Sequence, residues 1–177
     1  MILQKLFKRG PSRVAGEKLY QAAIDQARQP AFYSGLGAPD TVEGRFELYT
    51  LHVVLVLHRL KGQGAAATEV SQGLFDTYLL ALDDALREMG VGDLSVGKKM
   101  RKLGEAFYGR AKAYQVALEE NDRAALTALI GRTVYADQNS AAADQLADYV
   151  QRSAALMAGA RLEDVLAAEL VWAEIIP

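Results

Sequence analysis

Arg45, Glu47, His52, His58 and Arg59 stand in a run from Asp40 to Leu60 that is otherwise rich in Leu and Val. Burying an ionised side chain is costly unless it is paired or hydrogen-bonded. These residues therefore reach the surface, find partners or perform chemistry. The histidines are the first candidates for chemistry. At about 100° per residue they point about 120° apart on one helix, too far apart to share a metal ion. The chain has two histidines and no cysteine, so no His-x-x-x-His pair and no thiolate completes a site. No metal and no cofactor is expected. His52 does share a stripe with Arg45, Tyr49, Val56 and Arg59, which reads as a polar seam packed on a neighbouring helix.

A second constellation follows in Asp76, Asp83, Asp84, Arg87 and Glu88. Asp76, Asp83 and Arg87 share a helix face, and Asp83 to Arg87 is a favourable i,i+4 pair. Arg45 or Arg59 can bridge to these carboxylates, so the expected seam is Arg45, His52 and Arg59 answered by Asp76, Asp83 and Arg87. The alternative is acid/base catalysis by Asp83 and Glu88. No nucleophile or oxyanion donor set accompanies them, and no enzyme is expected. A third group, Lys98, Lys99, Arg101 and Lys102, opens a helix. Basic charge there opposes the helix dipole. It is either a solvated face or a contact for a ribosome or an anionic membrane surface. No motif for sequence-specific nucleic-acid reading surrounds it.

These residues need helices to position them. Alanine and leucine dominate the apolar set, and no long run alternates with period two, so the chain reads as all-α. A single compact domain of about six or seven helices is expected over residues 12–177. Residues 1–11 read as a flexible tail or a short amphipathic segment, with Ile2, Leu3, Leu6 and Phe7 beside Lys5, Lys8 and Arg9. Ser12 is placed to cap the first helix and Asp40 the second. The third spans Ala65 to Met89, and the fourth starts at Asp93 or Ser95 and ends near Glu119. Asn121 is placed to cap the fifth. The sixth spans Ala141 to Met157 and the seventh Leu162 to Ile175. Gly73, Gly97, Gly104 and Gly109 lie inside helices, where each costs up to about 1 kcal/mol against Ala. Close helix packing is the expected reason for some of them. Phe32, Tyr33 and Leu36 sit in a Pro- and Gly-containing loop, either as core anchors or as a binding lip.

The chain has 177 residues and a net charge of −2. Residues 95–114 carry six basic groups and one acid, whereas residues 115–177 carry four basic groups and ten acids. The protein is expected to have a basic and an acidic region. No apolar stretch approaches the ~20 residues of a membrane span, and the start lacks the apolar region of a secretory signal. A cytoplasmic protein is expected, or one peripheral at the inner membrane.

Several segments in order carry a resemblance. They are Ala27-Arg28-Gln29-Pro30-Ala31-Phe32-Tyr33, Pro39-Asp40-Thr41, Gly44-Arg45-Phe46-Glu47 and Leu51-His52. Leu74-Phe75-Asp76 follows, then the run from Arg87 to Met100, then Phe107-Tyr108-Gly109-Arg110 with Tyr114. Over roughly residues 15–135 the chain resembles the ubiquinol–cytochrome c chaperone family. The resemblance implies a helical assembly factor that binds newly made cytochrome b for complex III biogenesis, in some members with a small partner protein. Without a long N-terminal extension, the chain reads as a short, bacterial-type member. The client would lie in an apolar groove formed by the second and third helices and the loop before them. The residues expected there are Phe32, Tyr33, Leu36, Phe46, Tyr49, Val53, Phe75 and Leu79. A different reading is a haem- or other cofactor-handling protein, with His52, His58, Tyr49 or Met100 as ligands.

Overall fold

A computed structural model of the chain describes residues 10–136 and 141–176. The amphipathic reading of residues 1–9 lies outside the described residues. Among those described, the fold is α-helical without strands. Helices α1 (Pro11–Ala27), α2 (Val42–Leu60) and α3 (Ala65–Glu88) are followed by α4 (Asp93–Glu119), α5 (Arg123–Thr133), α6 (Ala141–Gly159) and the short α7 (Leu162–Leu166). A π-helical turn over Ala31–Gly35 stands between α1 and α2.

Helix α2 is the centre. Eleven of its nineteen residues are buried, against four of twenty-seven in α4. An apolar run on nearly all sides is what a central helix requires. Helices α1, α3, α4 and α6 pack around it. Thr41 caps α2, its hydroxyl accepting from the Gly44 amide at 3.1 Å. The cap is thus one residue later than Asp40, whose carboxylate is held by Arg45.

Helix α1 lies tightly on α3 because both carry glycine at the crossing. A Cβ on Gly16 would stand 2.3 Å from the Leu74 amide nitrogen, and one on Gly73 would stand 2.9 Å from the Ser12 carbonyl oxygen. Gly73 is therefore a close-packing glycine. Gly97, Gly104 and Gly109 are not, since a Cβ there would meet nothing within 4 Å. Ser12 does not cap α1. Gly10 occupies that position with Pro11 first in the helix, while the Ser12 hydroxyl donates to Glu69 on α3 at 2.8 Å.

The longest helices, α3 and α4, form a hairpin. Gly90 turns it with φ of 80°, a conformation glycine adopts without steric cost. Leu86 and Val96, on either side of the turn, are buried but stand outside the main core. Arg87 spans the turn, bonding Asp83 on α3 and Asp93 on α4.

Two further element boundaries differ from the sequence reading. Asp122, not Asn121, caps α5 through the Ala125 amide at 2.9 Å. Asn121 takes a positive φ of 51° and ends α4. The expected helix to Ile175 stops at Leu166. Ala168 turns left-handed at φ of 68°, and the Glu169 amide reaches back to the Asp164 carbonyl at 2.9 Å. This is a Schellman-type stop. The following tail instead lies along α6. The Ala173 amide donates to Ser153 Oγ at 3.1 Å, and Arg152 donates to the Glu174 carbonyl at 3.0 Å.

Candidate functional site

His52 is fully buried. Its Nδ1 lies 2.8 Å from the Leu48 carbonyl oxygen. A carbonyl only accepts, so the ring proton sits on Nδ1. Nε2 then accepts from the Tyr149 hydroxyl at 3.0 Å, and the Tyr149 oxygen accepts from Gln26 Nε2 at 3.1 Å. The ring is edged by Phe32 and Trp172, each with its centroid 5.1 Å away. One histidine thus ties α1, α2, α6 and the C-terminal tail together. Burial drops its pKa to about 4, so it is neutral near pH 7. With both nitrogens occupied, His52 offers no lone pair to a metal or a haem iron. Burial also lowers the pKa of His58.

The expected seam does not form. Arg45 is exposed and pairs with Asp40 on its own side of the molecule. Arg59 turns to α6, donating to the carbonyls of Met157 at 2.7 Å and Ala160 at 3.0 Å. There it adds donors to carbonyls at the end of α6, where the helix leaves acceptors over. Asp76 accepts from Gln72 at 2.7 Å. The expected Asp83–Arg87 pair is present at 2.6 Å. The correction has a simple cause: His52 and Arg59 face α6 and are answered there, while Arg45 is answered by Asp40 just before α2, so none of the three turns to α3.

A part-buried ion pair joins α2 to another helix, Glu47 with Arg110 of α4. The guanidinium bonds both carboxylate oxygens and also lies over the Phe46 ring, 5.8 Å from its centroid. Burial pushes the Glu47 carboxyl above its ordinary pKa, against the pull of Arg110. The pair was not foreseen. Glu47 stood out as a charge in an apolar helix, but the partner lies 63 residues away, and nothing local marks Arg110.

Two open hollows stand out among the described residues. The first, about 420 Å³, is lined by Arg28, Pro30, Tyr33, Ser34, Asp40, Arg45 and Tyr49. On its lining, Arg28 Nε donates to the Tyr49 hydroxyl at 3.0 Å. The second, about 470 Å³, lies where α1, α3 and α4 meet and is lined by Arg13, Asp76, Leu79, Leu80, Asp83 and Met100. Phe75 lies one turn from Leu79 on α3, with its ring stacked near Phe107 and Tyr108 of α4, the centroids 5.1 and 5.6 Å away.

The residues expected to line a client groove therefore divide. Phe32, Leu36 and Val53 are core and face no solvent. Tyr33 and Tyr49 border the first hollow, and Leu79 lines the second. Phe46 and Phe75 are half-buried. They do not form one continuous groove. Leu80, exposed and on the second hollow, was missed because its neighbours suggested a buried helix face. Asp83 lines that hollow while held by Arg87, and Glu88 lies exposed away from its lining, so the two carboxylates do not face each other across it. Lys98, Lys99, Arg101 and Lys102 are exposed. Among the described residues, no three His, Asp or Glu side chains stand in metal-binding proximity. No helix among them is long and apolar enough to cross a membrane.

Comparison with known proteins agrees with this architecture. The profile of a family described as ubiquinol-cytochrome C chaperone matches residues 34–172. The match starts after α1 and extends into the C-terminal tail, beyond the motifs read from sequence. The chain is 23% identical to ubiquinol-cytochrome-c reductase complex assembly factor 1 of Xenopus laevis, over 93% of this chain and 83% of that protein. It is 22% identical to the Mus musculus factor of the same name, again over 93% of this chain but spanning only 56% of the mouse protein. The crystal structure of the Cbp3 homologue from Brucella abortus superposes with a TM-score of 0.85 at 34% identity, covering 99% of this chain and 98% of that one.

Proposed function

Because the chain belongs to the ubiquinol–cytochrome c chaperone family, whose members are assembly chaperones for ubiquinol–cytochrome c reductase, we propose that it holds a newly made membrane subunit of that complex, cytochrome b, before assembly. The observation that carries this reading is the 34% identity and TM-score of 0.85 with the Cbp3 homologue over 99% of the chain. Family membership also favours a binding protein over an enzyme. The occupied nitrogens of His52 and the arginine-held Asp83 agree with that.

The client surface we favour is the second hollow, with Leu79, Leu80 and Met100 in its lining and Phe75 one turn from Leu79. An apolar client helix gains from leaving water against such side chains. Methionine adapts its shape to varied partners. Arg13, Asp76 and Asp83 in the same lining supply polar contacts that limit where the client lies. The first hollow, with two arginines and two tyrosines, suits an apolar helix less well.

A photo-cross-linking amino acid at position 80, introduced in cells, tests this surface. Cytochrome b should be captured from position 80 and not from position 34, which lines the first hollow. Capture of cytochrome b from position 34 alone would reject the surface while leaving the chaperone reading intact. Capture of unrelated proteins from both positions would reject the client.

A further inference from the structure

We propose that the tip of the α3–α4 hairpin docks the protein on an anionic lipid bilayer, with Leu94 entering the interface and Lys98, Lys99, Arg101 and Lys102 meeting lipid phosphates. The surface lies at the end of the hairpin, apart from either hollow except for Met100, and the inference does not depend on which client is carried.

Leu94 is the most exposed apolar residue described, at 102% of its reference area, and Met89 across the turn is 52% exposed. Neither covers any core. Leu94, Lys98, Arg101, Glu105, Tyr108 and Lys112 recur at intervals of four and three, so they form one stripe along α4, and every one is exposed. Lys99 and Lys102 flank it. Among the described residues, none of Lys98, Lys99, Arg101 and Lys102 makes an ion pair or side-chain hydrogen bond. Their charge has no internal use, and at the start of a helix it works against the dipole.

The acids nearby do not cancel this field. Asp93 is engaged by Arg87, which also holds Asp83. Asp84 and Glu88 are exposed on α3 rather than on the α4 stripe, and Glu105 is the one acid within it. Basic side chains around an exposed aliphatic residue make an interfacial contact: phosphates attract the cations, and the aliphatic chain leaves water below them. An RNA backbone would use the same cations but would leave Leu94 and Met89 exposed, so the apolar pair favours lipid. Because no described helix can span a bilayer, attachment through this tip is peripheral, and it would hold the protein where a membrane-protein client is inserted.

The test is co-sedimentation of the full chain with phosphatidylcholine vesicles, with and without 30 mol% phosphatidylglycerol (about one lipid in three, as a probe of surface charge). Wild type should bind only the anionic vesicles, and less so in high salt. Each Lys or Arg near an anionic surface is worth about fivefold in affinity. Joint charge reversal of Lys98, Lys99, Arg101 and Lys102 should therefore weaken binding by on the order of a hundredfold or more with an unchanged circular dichroism spectrum. A joint Lys→Gln and Arg→Gln variant, gentler on folding, should weaken it in the same direction. Leu94→Ser should cost roughly tenfold, and the emission of Leu94→Trp should shift to the blue on anionic vesicles. Absence of wild-type binding overturns the proposal, as does equal binding by the charge-reversed chain. Loss of binding only on reversal of Lys5, Lys8 and Arg9 overturns it too. So does an unshifted Leu94→Trp spectrum, including the case in which the four basic residues bind bulk RNA instead.

Discussion

Protonating His52 should loosen the whole fold, and the size of the effect follows from its surroundings. The ring is fully buried between Phe32, Trp172 and Tyr149, and its neutral form satisfies both nitrogens. Its pKa falls from 6.5 to about 4 on folding. A group whose folded pKa is depressed favours the folded state while it stays deprotonated. Its contribution is complete above pH 6.5 and is lost as pH falls toward 4. Full protonation would cost about 3.5 kcal/mol, and at pH 4, where the folded ring is half protonated, about 3 kcal/mol of it is lost. Glu47 acts in the opposite direction, because its raised pKa means that folding takes up a proton as pH drops through the range above 4.5. His58 adds to the His52 effect. The isolating comparison is therefore urea unfolding of wild type and His52→Gln, followed through Trp172 fluorescence at a series of pH values from 7.5 to 4. The glutamine variant will be less stable at pH 7.5, having lost ring packing. The gap should narrow by about 3 kcal/mol toward pH 4, because only wild type carries the penalty. Parallel pH profiles would refute the reasoning, since His52 would then titrate alike in the folded and unfolded chains.

Arg110→Ala strands the buried Glu47 carboxylate and should destabilise the chain by about 2–3 kcal/mol at pH 7, less than a wholly buried pair because Arg110 keeps 24% of its side chain exposed. Replacing Glu47 with Leu and Arg110 with Met together should recover most of that loss in thermal unfolding. A double variant as unstable as Arg110→Ala would contradict it. Gly16→Ala drives a methyl into the α3 backbone and should cost about 1–3 kcal/mol. Gly97→Ala and Gly104→Ala point into open space and should each stabilise α4 by up to about 1 kcal/mol. Equal effects at the three positions would mean that the α1–α3 crossing is not glycine-limited.

Legibility in the sequence followed the range of the interactions. Helix α3 was readable over its full length because its signals are local: the start at Ala65 after two glycines, and Gly90 at its end. The Asp83–Arg87 pair was readable for the same reason, being one turn apart. The partners of His52, Arg59 and Glu47 were not, because Tyr149, Met157 and Arg110 lie 97, 98 and 63 residues away. Periodicity gave the polar face of α2 but not which helix would answer it. The tail after Leu166 misled because Leu170, Val171, Trp172 and Ile175 read as helix. The side chains of Leu170, Trp172 and Ile175 instead pack on the core from a non-helical tail along α6, and the left-handed turn at Ala168 carries no glycine to mark it. Of the client residues, Phe32 and Leu36 were seen as anchors or as a lip, and burial shows them to be anchors.

The central claim is that this helical domain serves the assembly of ubiquinol–cytochrome c reductase. The direct measurement is to delete its gene in the organism of origin and quantify assembled reductase, by native gel and by the haem b absorbance of membranes. The account predicts loss of the complex and of cytochrome b with other respiratory complexes retained, restored by the wild-type chain and not by one carrying Leu79→Asp and Leu80→Asp. Normal amounts of assembled reductase in the deletion strain would contradict it.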